Sequence, residues 1–146
     1  MPIFRFFYPI EVRYGDLDPQ GHVNNARYLT YFEQGRIAYV RKLGLWSGGS
    51  FLEIGFILAD AHVIFRRPVC FGQDLRLGVR VTRLGGKSMT MEYSLQDASI
   101  QDEMAAGSTV LVAYDYHNAC SVNIPAAWKE AIAQFEHMHE NPRQGS

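Results

Sequence analysis

Residues 13–29 read RYGDLDPQGHVNNARYL and place a run of polar residues between two apolar segments. The preceding segment, residues 3–13, is rich in β-branched and aromatic side chains, which predicts a strand. Inside the run, Asp-Pro-Gln-Gly at residues 18–21 has the composition of a turn. Asn24 or Asn25 could then cap a helix. The stretch therefore predicts a strand that turns directly into a helix.

The predicted helix ends before Gly44, a residue type common just after the last helical turn. Its apolar side chains point in most directions around the axis, which predicts a helix buried on all sides. These residues are Ala26, Tyr28, Leu29, Tyr31, Phe32, Ile37, Ala38, Tyr39, Val40 and Leu43. Gly35 in the middle costs about 1 kcal/mol relative to Ala, so we expect a close contact at that position.

The second half of the chain predicts strands. Residues 75–82 and 88–95 alternate between apolar and polar side chains, and Gly85-Gly86 between them is a hairpin signal. Two shorter stretches also alternate between apolar and polar residues and predict two more strands, each with its apolar side chains facing inward. The inward-facing residues are predicted to be Ala61, Val63 and Phe65 in one strand, and Val110, Val112, Tyr114 and Tyr116 in the other. Pro125 opens a last, amphipathic helix.

This order of elements predicts an α+β fold in which an antiparallel sheet wraps around one long central helix. The length of 146 residues suits a single domain, predicted over residues 1–140, with a disordered tail at 141–146. A thin sheet leaves an edge and an apolar surface exposed. We therefore expect a homodimer or a dimer of dimers.

The composition excludes several classes of protein. Hydrophobic residues make up 47% of the chain, and 14 basic against 15 acidic residues give a net charge of −1. This balance predicts no nucleic-acid partner and no membrane surface. No stretch resembles a signal peptide or a membrane span. Cys70 and Cys120 lie in unrelated contexts, which predicts reduced core thiols in a cytoplasmic protein.

Two interpretations of residues 13–29 are open on the residues alone. One is a polar turn followed by a helix cap. The other is a reaction centre for acyl transfer, which needs a carboxylate as base or nucleophile and donors where oxyanion charge develops. Asp18 precedes the helix start by about one turn, and the unpaired N–H groups near Asn24 and Asn25 would form an anion-stabilising pocket.

The segment YGDLDPQGHVNNARYLTYFEQGR resembles the hotdog-fold thioesterases of the 4-hydroxybenzoyl-CoA thioesterase type. Their strand-to-helix turn reads approximately G-D-x-D-x-x-G-x-V, followed by a Tyr-containing helix start. The matching residues are Gly15, Asp16, Asp18, Gly21, Val23, Tyr28 and Phe32. The variant HVNN at residues 22–25 is more similar to the acyl-ACP and long-chain acyl-CoA thioesterase branches. The resemblance covers essentially the whole chain and implies a hotdog fold with its active site between protomers.

The resemblance also implies roles for individual residues. Asp18 would be the catalytic carboxylate, and the backbone N–H of Asn25 would polarise the thioester carbonyl. His22 and Asn24 would order the site. Tyr28 and Phe32 would line the acyl pocket, and Lys87 and Ser88 would contact the CoA nucleotide. Arg66 and Arg67 add cations near a strand end.

His22 is open to three roles: an acid/base, a hydrogen-bond partner of the substrate, or a turn residue that orders Asp18. Plant-type acyl-ACP thioesterases carry D-x-N-x-H here, and this chain has Gln20 at the Asn position. Asp16 is expected to be structural, pairing with Arg13 or capping the turn. Glu33 and Arg36, three apart on the helix, are expected to pair.

The expected function is hydrolysis of an acyl thioester, acyl-CoA before acyl-ACP, with no cofactor and no metal. His137 and His139 form an HxH without a third ligand, which does not predict a metal site. One alternative is a hotdog hydratase with a D-x-N-P-x-H-x-D motif, but here His22 lies one residue too far from Pro19 and Asn24 replaces the later Asp. Another alternative is a module that binds acyl thioesters without hydrolysing them.

Overall fold

The described residues form one antiparallel sheet and two α-helices. The computed structural model describes residues 3–50 and 55–138. Its elements are β1 (Phe6–Ile10), a 3₁₀ turn (Tyr14–Asp16), α1 (Arg27–Lys42), β2 (Phe56–Phe65), β3 (Leu75–Leu84), β4 (Ser88–Asp97), β5 (Asp102–Asp115), β6 (Cys120–Ser121) and α2 (Ala126–Phe135). The strand order is β1-β3-β4-β5-β2, and the short β6 pairs with the end of β5. The predicted α+β class and the antiparallel pairing are confirmed.

One face of α1 packs against the sheet. Its buried residues recur at helical spacing and are Tyr28, Tyr31, Phe32, Gly35, Tyr39 and Val40. A Cβ at Gly35 would overlap the Leu77 side chain and lie 2.9 Å from Val79 Cγ2. The close contact predicted at Gly35 is confirmed, and it is made with side chains of β3.

The opposite face of α1 is open in the single chain. Leu29 is 40% exposed, and Glu33 and Gln34 are exposed as well. The prediction of a helix buried on all sides is therefore wrong for one copy of the chain, because the sheet covers only one side of it.

The hairpin between β3 and β4 forms where the glycine pair predicted it. The Gly85 N–H donates to the Ser88 carbonyl at 2.8 Å. The alternating apolar residues of both strands are buried on the side of α1, and they are Leu75, Leu77, Val79 and Val81 in β3 and Met89, Met91, Tyr93 and Leu95 in β4.

The inward-facing set predicted for β5 is wrong. In the second half of the strand the buried residues are Thr109, Leu111 and Ala113, because the register places Thr109 beside Met91 and Leu111 beside Met89. The predicted residues Val110, Val112 and Tyr114 are half-buried on the other face. Tyr116 lies beyond the strand and is 40% exposed. Both faces of β5 are apolar, so the period of two could not distinguish them.

The set predicted for β2 lies on the expected face but is not buried. Ala61, Val63 and Phe65 pair with Thr109, Gly107 and Ala105, which face α1. Ala61 and Phe65 are nevertheless exposed, and Val63 is half-buried. The reason is that β2 is the last strand of the sheet and has a neighbouring strand on one side only.

Both cysteines are free, but the prediction that they are core thiols is wrong. Cys70 and Cys120 are exposed. Cys70 lies in the connection between β2 and β3, and Cys120 opens the short β6 at the margin of the sheet. Across residues 3–50 and 55–138, no helix is long and apolar enough to span a bilayer.

Candidate active site

The connection between β1 and α1 is a compact turn. The Gly21 N–H donates to the Asp18 carbonyl at 2.9 Å, and Gly21 has a φ of +80°, a conformation that favours glycine. An isolated bridge pairs Leu17 with Val23 on the two sides of the turn. The turn predicted at residues 18–21 is therefore present, and it places Asp18 at its start.

The Asp18 carboxylate is oriented by the backbone of its own turn. Its Oδ1 accepts hydrogen bonds from the N–H groups of Gln20 at 2.9 Å and His22 at 3.3 Å. Its Oδ2 accepts no hydrogen bond from the described residues. The side chain is half-buried, and one of its two oxygens thus has no hydrogen-bond partner among the described residues.

His22 orders Asp18 through its peptide group rather than its ring. Besides the N–H contact to Oδ1, the His22 carbonyl accepts from the Asp18 N–H at 2.8 Å. A bridge to Cys70 anchors the other side of His22. Its imidazole is half-buried and lines the same depression as Asp18. The structure therefore gives His22 a backbone role and leaves the role of the ring a prediction.

The residues just before α1 leave one backbone donor unused. The helix starts at Arg27, and Asn24 Oδ1 accepts from the Ala26 N–H at 2.9 Å. The Asn24 N–H donates to the Asp16 carbonyl at 2.8 Å. The N–H between these two, that of Asn25, makes no hydrogen bond within the described part of the chain. Asn24 therefore caps the turn that precedes the helix, and Asn25 carries the free donor.

A surface depression of about 300 Å³ joins these groups. It is lined by Asp18, Gln20, His22, Val23, Asn25, Tyr28, Phe65, Arg66, Arg67 and Pro68. Four residues predicted for the site, separated by up to ten positions, thus lie around one space. Anions bind well at such helix starts because the N–H groups point outward.

The depression has an aromatic wall and a cationic rim. The rings of Tyr28 and Phe65 meet edge to face with centroids 4.9 Å apart. Burial raises the pKa of Tyr28, with partial opposition from the Val69 backbone. Arg66 Nε lies 2.6 Å from Glu103 Oε1, and an ion pair at 2.7 Å holds the Arg67 guanidinium against Asp102.

Three predicted substrate contacts lie elsewhere in the single chain. Phe32 is fully buried and stacks on Tyr93 with centroids 4.6 Å apart, so it belongs to the core. Lys87 and Ser88 lie at the other end of the sheet. Ser88 pairs with Val112, whereas Phe65 at the depression pairs with Ala105. Seven residues of β5 separate the two levels, or about 23 Å of strand.

Asp16 and Tyr31 form a contact that the sequence did not indicate. Tyr31 on α1 donates from its hydroxyl to Asp16 Oδ2 at 2.8 Å. Asp16 also accepts the Arg13 backbone N–H at 3.0 Å and lies 3.8 Å from Arg27 Nε. The expected cap by Asp16 is confirmed, but the charge partner is Arg27 and not the Arg13 side chain. The sequence feature that could have indicated this contact is the spacing of Tyr31 three residues after Tyr28, which places both tyrosines on the same face of the helix.

Two further expectations concern charged and metal-binding residues. Glu33 is exposed, and no ion pair joins it to Arg36 within the described residues; Arg36 lies instead beside the Tyr93 hydroxyl. Among the residues that the structure describes, no three His, Cys, Asp or Glu side chains gather as metal ligands. His139 of the HxH pair lies outside them.

Comparison with known proteins shows several relatives of this chain. It is 28% identical over 137 residues to the acyl-CoA thioesterase YbgC of Haemophilus influenzae, covering 91% of this chain and 96% of the relative. It is 32% identical over 79 residues to the long-chain acyl-CoA thioesterase FadM of Escherichia coli, covering 54% of this chain. That match spans 60% of FadM, less than two thirds of its length.

A solved structure extends the likeness to the fold. The thioesterase from Thermus thermophilus that was crystallised with coenzyme A and zinc superposes with a TM-score of 0.82 and 33% identity. The superposition covers 95% of this chain and all of the other. This confirms the hotdog fold. The family model of the Thioesterase-like superfamily matches residues 12–133, and the chain belongs to that family.

Proposed function

We propose that this protein hydrolyses acyl-CoA thioesters. The observation that carries the proposal is that the free oxygen of Asp18 and the unpaired N–H of Asn25, each without a partner among the described residues, border the same depression. Together they supply a base or nucleophile and an oxyanion donor, which are the two requirements of acyl transfer. The relatives named as acyl-CoA thioesterases support the same substrate class.

In the proposed reaction the thioester carbonyl oxygen accepts the Asn25 N–H, so that negative charge develops at the start of α1. Asp18 then acts in one of two ways. It takes a proton from a water that attacks the carbonyl carbon, or it attacks that carbon itself to form a mixed anhydride. In both cases the C–S bond breaks and the thiolate takes a proton. In the first route the attacking water supplies the second oxygen of the acid. In the second route water attacks the Asp18 carbonyl of the anhydride, so the acid leaves with an oxygen of Asp18 and the water oxygen stays in the carboxylate.

The lining of the depression suggests how the substrate lies in it. The Tyr28–Phe65 wall offers apolar surface for the first part of the acyl group. Arg66 and Arg67 each keep guanidinium N–H groups beyond those used by their acidic partners, and these can reach phosphate oxygens of the CoA moiety. This assigns the cations of the rim to the carrier and the aromatic wall to the acyl chain.

A second copy of the chain completes the proposal. The edge strand β2 exposes Ile57, Leu58, Ile64 and Phe65, and Phe65 also belongs to the depression. A partner paired along β2 would cover this apolar surface and lie beside the site. The predicted CoA contacts of Lys87 and Ser88, about 23 Å away in the same chain, would then have to come from the other protomer.

The test is a thiol-release assay with benzoyl-, butyryl-, octanoyl- and palmitoyl-CoA. We expect Asp18→Asn to lower kcat at least ~100-fold, about 2.7 kcal/mol in barrier, because Asn is neither a base nor a nucleophile. Asp74→Asn is the matched control, since Asp74 is exposed and its side chain makes no hydrogen bond within the described residues. Near-normal turnover by Asp18→Asn would refute the assignment.

Two side measurements separate the alternatives. Hydration of crotonyl-CoA without release of thiol would identify a hydratase. Tight binding of the same acyl-CoA panel, measured by calorimetry and without thiol release, would identify a binding module. Solvent-oxygen labelling in a single turnover then distinguishes the base from the nucleophile, because only the nucleophile route places labelled oxygen in Asp18.

A further inference from the structure

Asp16 is a buried node of the loop that carries the proposed site. It is 9% exposed, and each of its polar groups has a partner. Its N–H donates to the Arg13 carbonyl at 2.9 Å, and its carbonyl accepts the Asn24 N–H at 2.8 Å. Its carboxylate accepts from the Tyr31 hydroxyl at 2.8 Å and the Arg13 N–H at 3.0 Å. One residue thus joins the end of β1, the start of α1 and the body of α1.

The Tyr31 hydroxyl supplies the link to the helix. Tyr31 is 1% exposed and lies one turn into α1. Burial, followed by the hydrogen bond and the charge of Asp16, raises the pKa of Tyr31. The hydroxyl therefore stays protonated and remains a donor to Asp16. A buried carboxylate that lost this donor would be left partly unsatisfied, which is costly in a low-dielectric interior.

Both groups assigned to the reaction depend on this node for their position. Asp18 follows Asp16 by two residues. On the other strand of the turn, the N–H groups that flank Asn25 are both engaged, that of Asn24 with the Asp16 carbonyl and that of Ala26 with Asn24 Oδ1. The intervening Asn25 N–H is thereby held toward the depression with no partner of its own among the described residues.

We infer that Asp16 and Tyr31 are a positioning pair for the thioester reaction, fixing the Asn25 N–H relative to the Asp18 carboxylate. The inference rests on the proposed function. A preorganised donor stabilises the charge of the transition state more than the neutral carbonyl of the ground state. Loss of the pair should therefore lower kcat while KM changes little.

The same helix offers a matched control for a purely structural tyrosine. Tyr39 is fully buried and packs edge to face on Phe6 and Phe135. It lies eight residues after Tyr31, about 12 Å along the helix. Tyr39→Phe makes the same chemical change in the same core without touching Asp16.

The experiment compares Tyr31→Phe, Tyr39→Phe and Asp18→Asn on the best-hydrolysed member of the acyl-CoA panel. We expect Tyr31→Phe to lower kcat about tenfold with KM within twofold, and Tyr39→Phe to keep both values within twofold. Hydrogen–deuterium exchange gives a readout that does not need activity. Exchange in residues 17–26 should accelerate in Tyr31→Phe and stay at the wild-type rate in Tyr39→Phe.

The outcomes separate this inference from the proposed function. If Asp18→Asn is inactive and Tyr31→Phe turns over normally, the proposed function stands and the positioning pair is overturned, whether or not exchange changes. If Asp18→Asn remains active, the proposed function and the positioning pair are both refuted. Asp16→Asn is the second variant should Tyr31→Phe fold poorly. It keeps the size of the side chain but removes the negative charge of the group that accepts from both Tyr31 and Arg13. A neutral amide oxygen accepts these hydrogen bonds more weakly than a carboxylate does, so a tenfold lower kcat supports the pair and a normal kcat overturns it.

Discussion

Glu136, the residue after α2, brings a carboxylate into the core at 9% exposure. Its Oε2 accepts a hydrogen bond from the Val81 N–H of β3 at 2.8 Å, and Tyr39 of α1 faces it. Burial raises the pKa of Glu136, although the Val81 N–H and the charges of Arg5 and Arg80 oppose the shift. The carboxyl thus joins α2 to the sheet, and burial favours its protonated form.

This shift predicts a pH dependence of stability. Because the pKa of Glu136 is raised in the folded state, its contribution to the free energy of unfolding is largest below its ordinary pKa of 4.5. The contribution is lost as pH rises through the folded-state pKa. Glu136→Gln keeps an acceptor for the Val81 N–H but does not titrate. We expect the free energy of unfolding of the wild type, relative to this variant, to fall as pH rises above about 4.

Urea denaturation at a series of pH values measures this difference. Glu130→Gln is the control, because it makes the same chemical change at an exposed position of the same helix. Parallel profiles for the wild type and Glu136→Gln would contradict the prediction.

At the scale of elements, the contact between α1 and β3 is set by one missing side chain. Gly35 lies against Leu77 and Val79, both fully buried, so the backbone of the helix approaches the strand closely. An alanine would gain about 1 kcal/mol of helix propensity. It would also force two core side chains to move, and overpacking of this kind costs about 1–3 kcal/mol.

We therefore expect Gly35→Ala to lower the free energy of unfolding by up to about 2 kcal/mol, the packing cost less the propensity gain. Chemical denaturation checks this. Thr30→Ala, at an exposed position of the same helix, reports the propensity gain alone and should stabilise by a few tenths of a kcal/mol. If Gly35→Ala stabilises the protein as much as Thr30→Ala does, the contact with Leu77 and Val79 leaves room for a methyl group, which would contradict the prediction.

The sequence predicted elements well where one face of a strand is apolar and failed where both are. In β3 and β4 the alternation identified the buried face and the glycine pair identified the hairpin. In β5 both Val110 and Leu111 are apolar, and only the pairing of Leu111 with Met89 decides which of the two faces the helix. Face selection in such a strand is a property of its neighbours.

At the scale of the whole molecule, β2 pairs with β5 on one side, and its other side has no partner strand among the described residues. Ile57, Leu58, Ile64 and Phe65 are between 36% and 47% exposed. A row of unpaired backbone groups beside such residues favours pairing with another strand. The open face of α1, where Leu29 is 40% exposed, adds surface that a second copy could cover.

We expect the protein to sediment as a dimer or a larger even oligomer. Leu58→Lys should weaken the association at least tenfold, about 1.4 kcal/mol, because it places a charge within the proposed contact. Analytical ultracentrifugation measures both the oligomeric state and the strength of the association. Ile100→Lys is the control, since Ile100 is 60% exposed in the turn between β4 and β5. A monomeric wild type, or equal association by both variants, would contradict the predicted interface.

Features that are set within a few residues could be predicted from the sequence alone. The turn at residues 18–21, the hairpin at Gly85 and the α+β order follow from local backbone chemistry and from periodicity. The residue types at the candidate site, above all Asp18, were visible for the same reason.

Which of these groups meet depends on the packing of the helix and on the pairing of the strands. Asp16 and Tyr31 are fifteen residues apart and join through the packing of α1. The pairing of β2 with β5 brings Phe65 and the following arginines beside Asp18 and leaves Lys87 at the other end of the sheet. Contacts of this kind depend on strand order and register, which long-range burial selects and which no short stretch of sequence encodes.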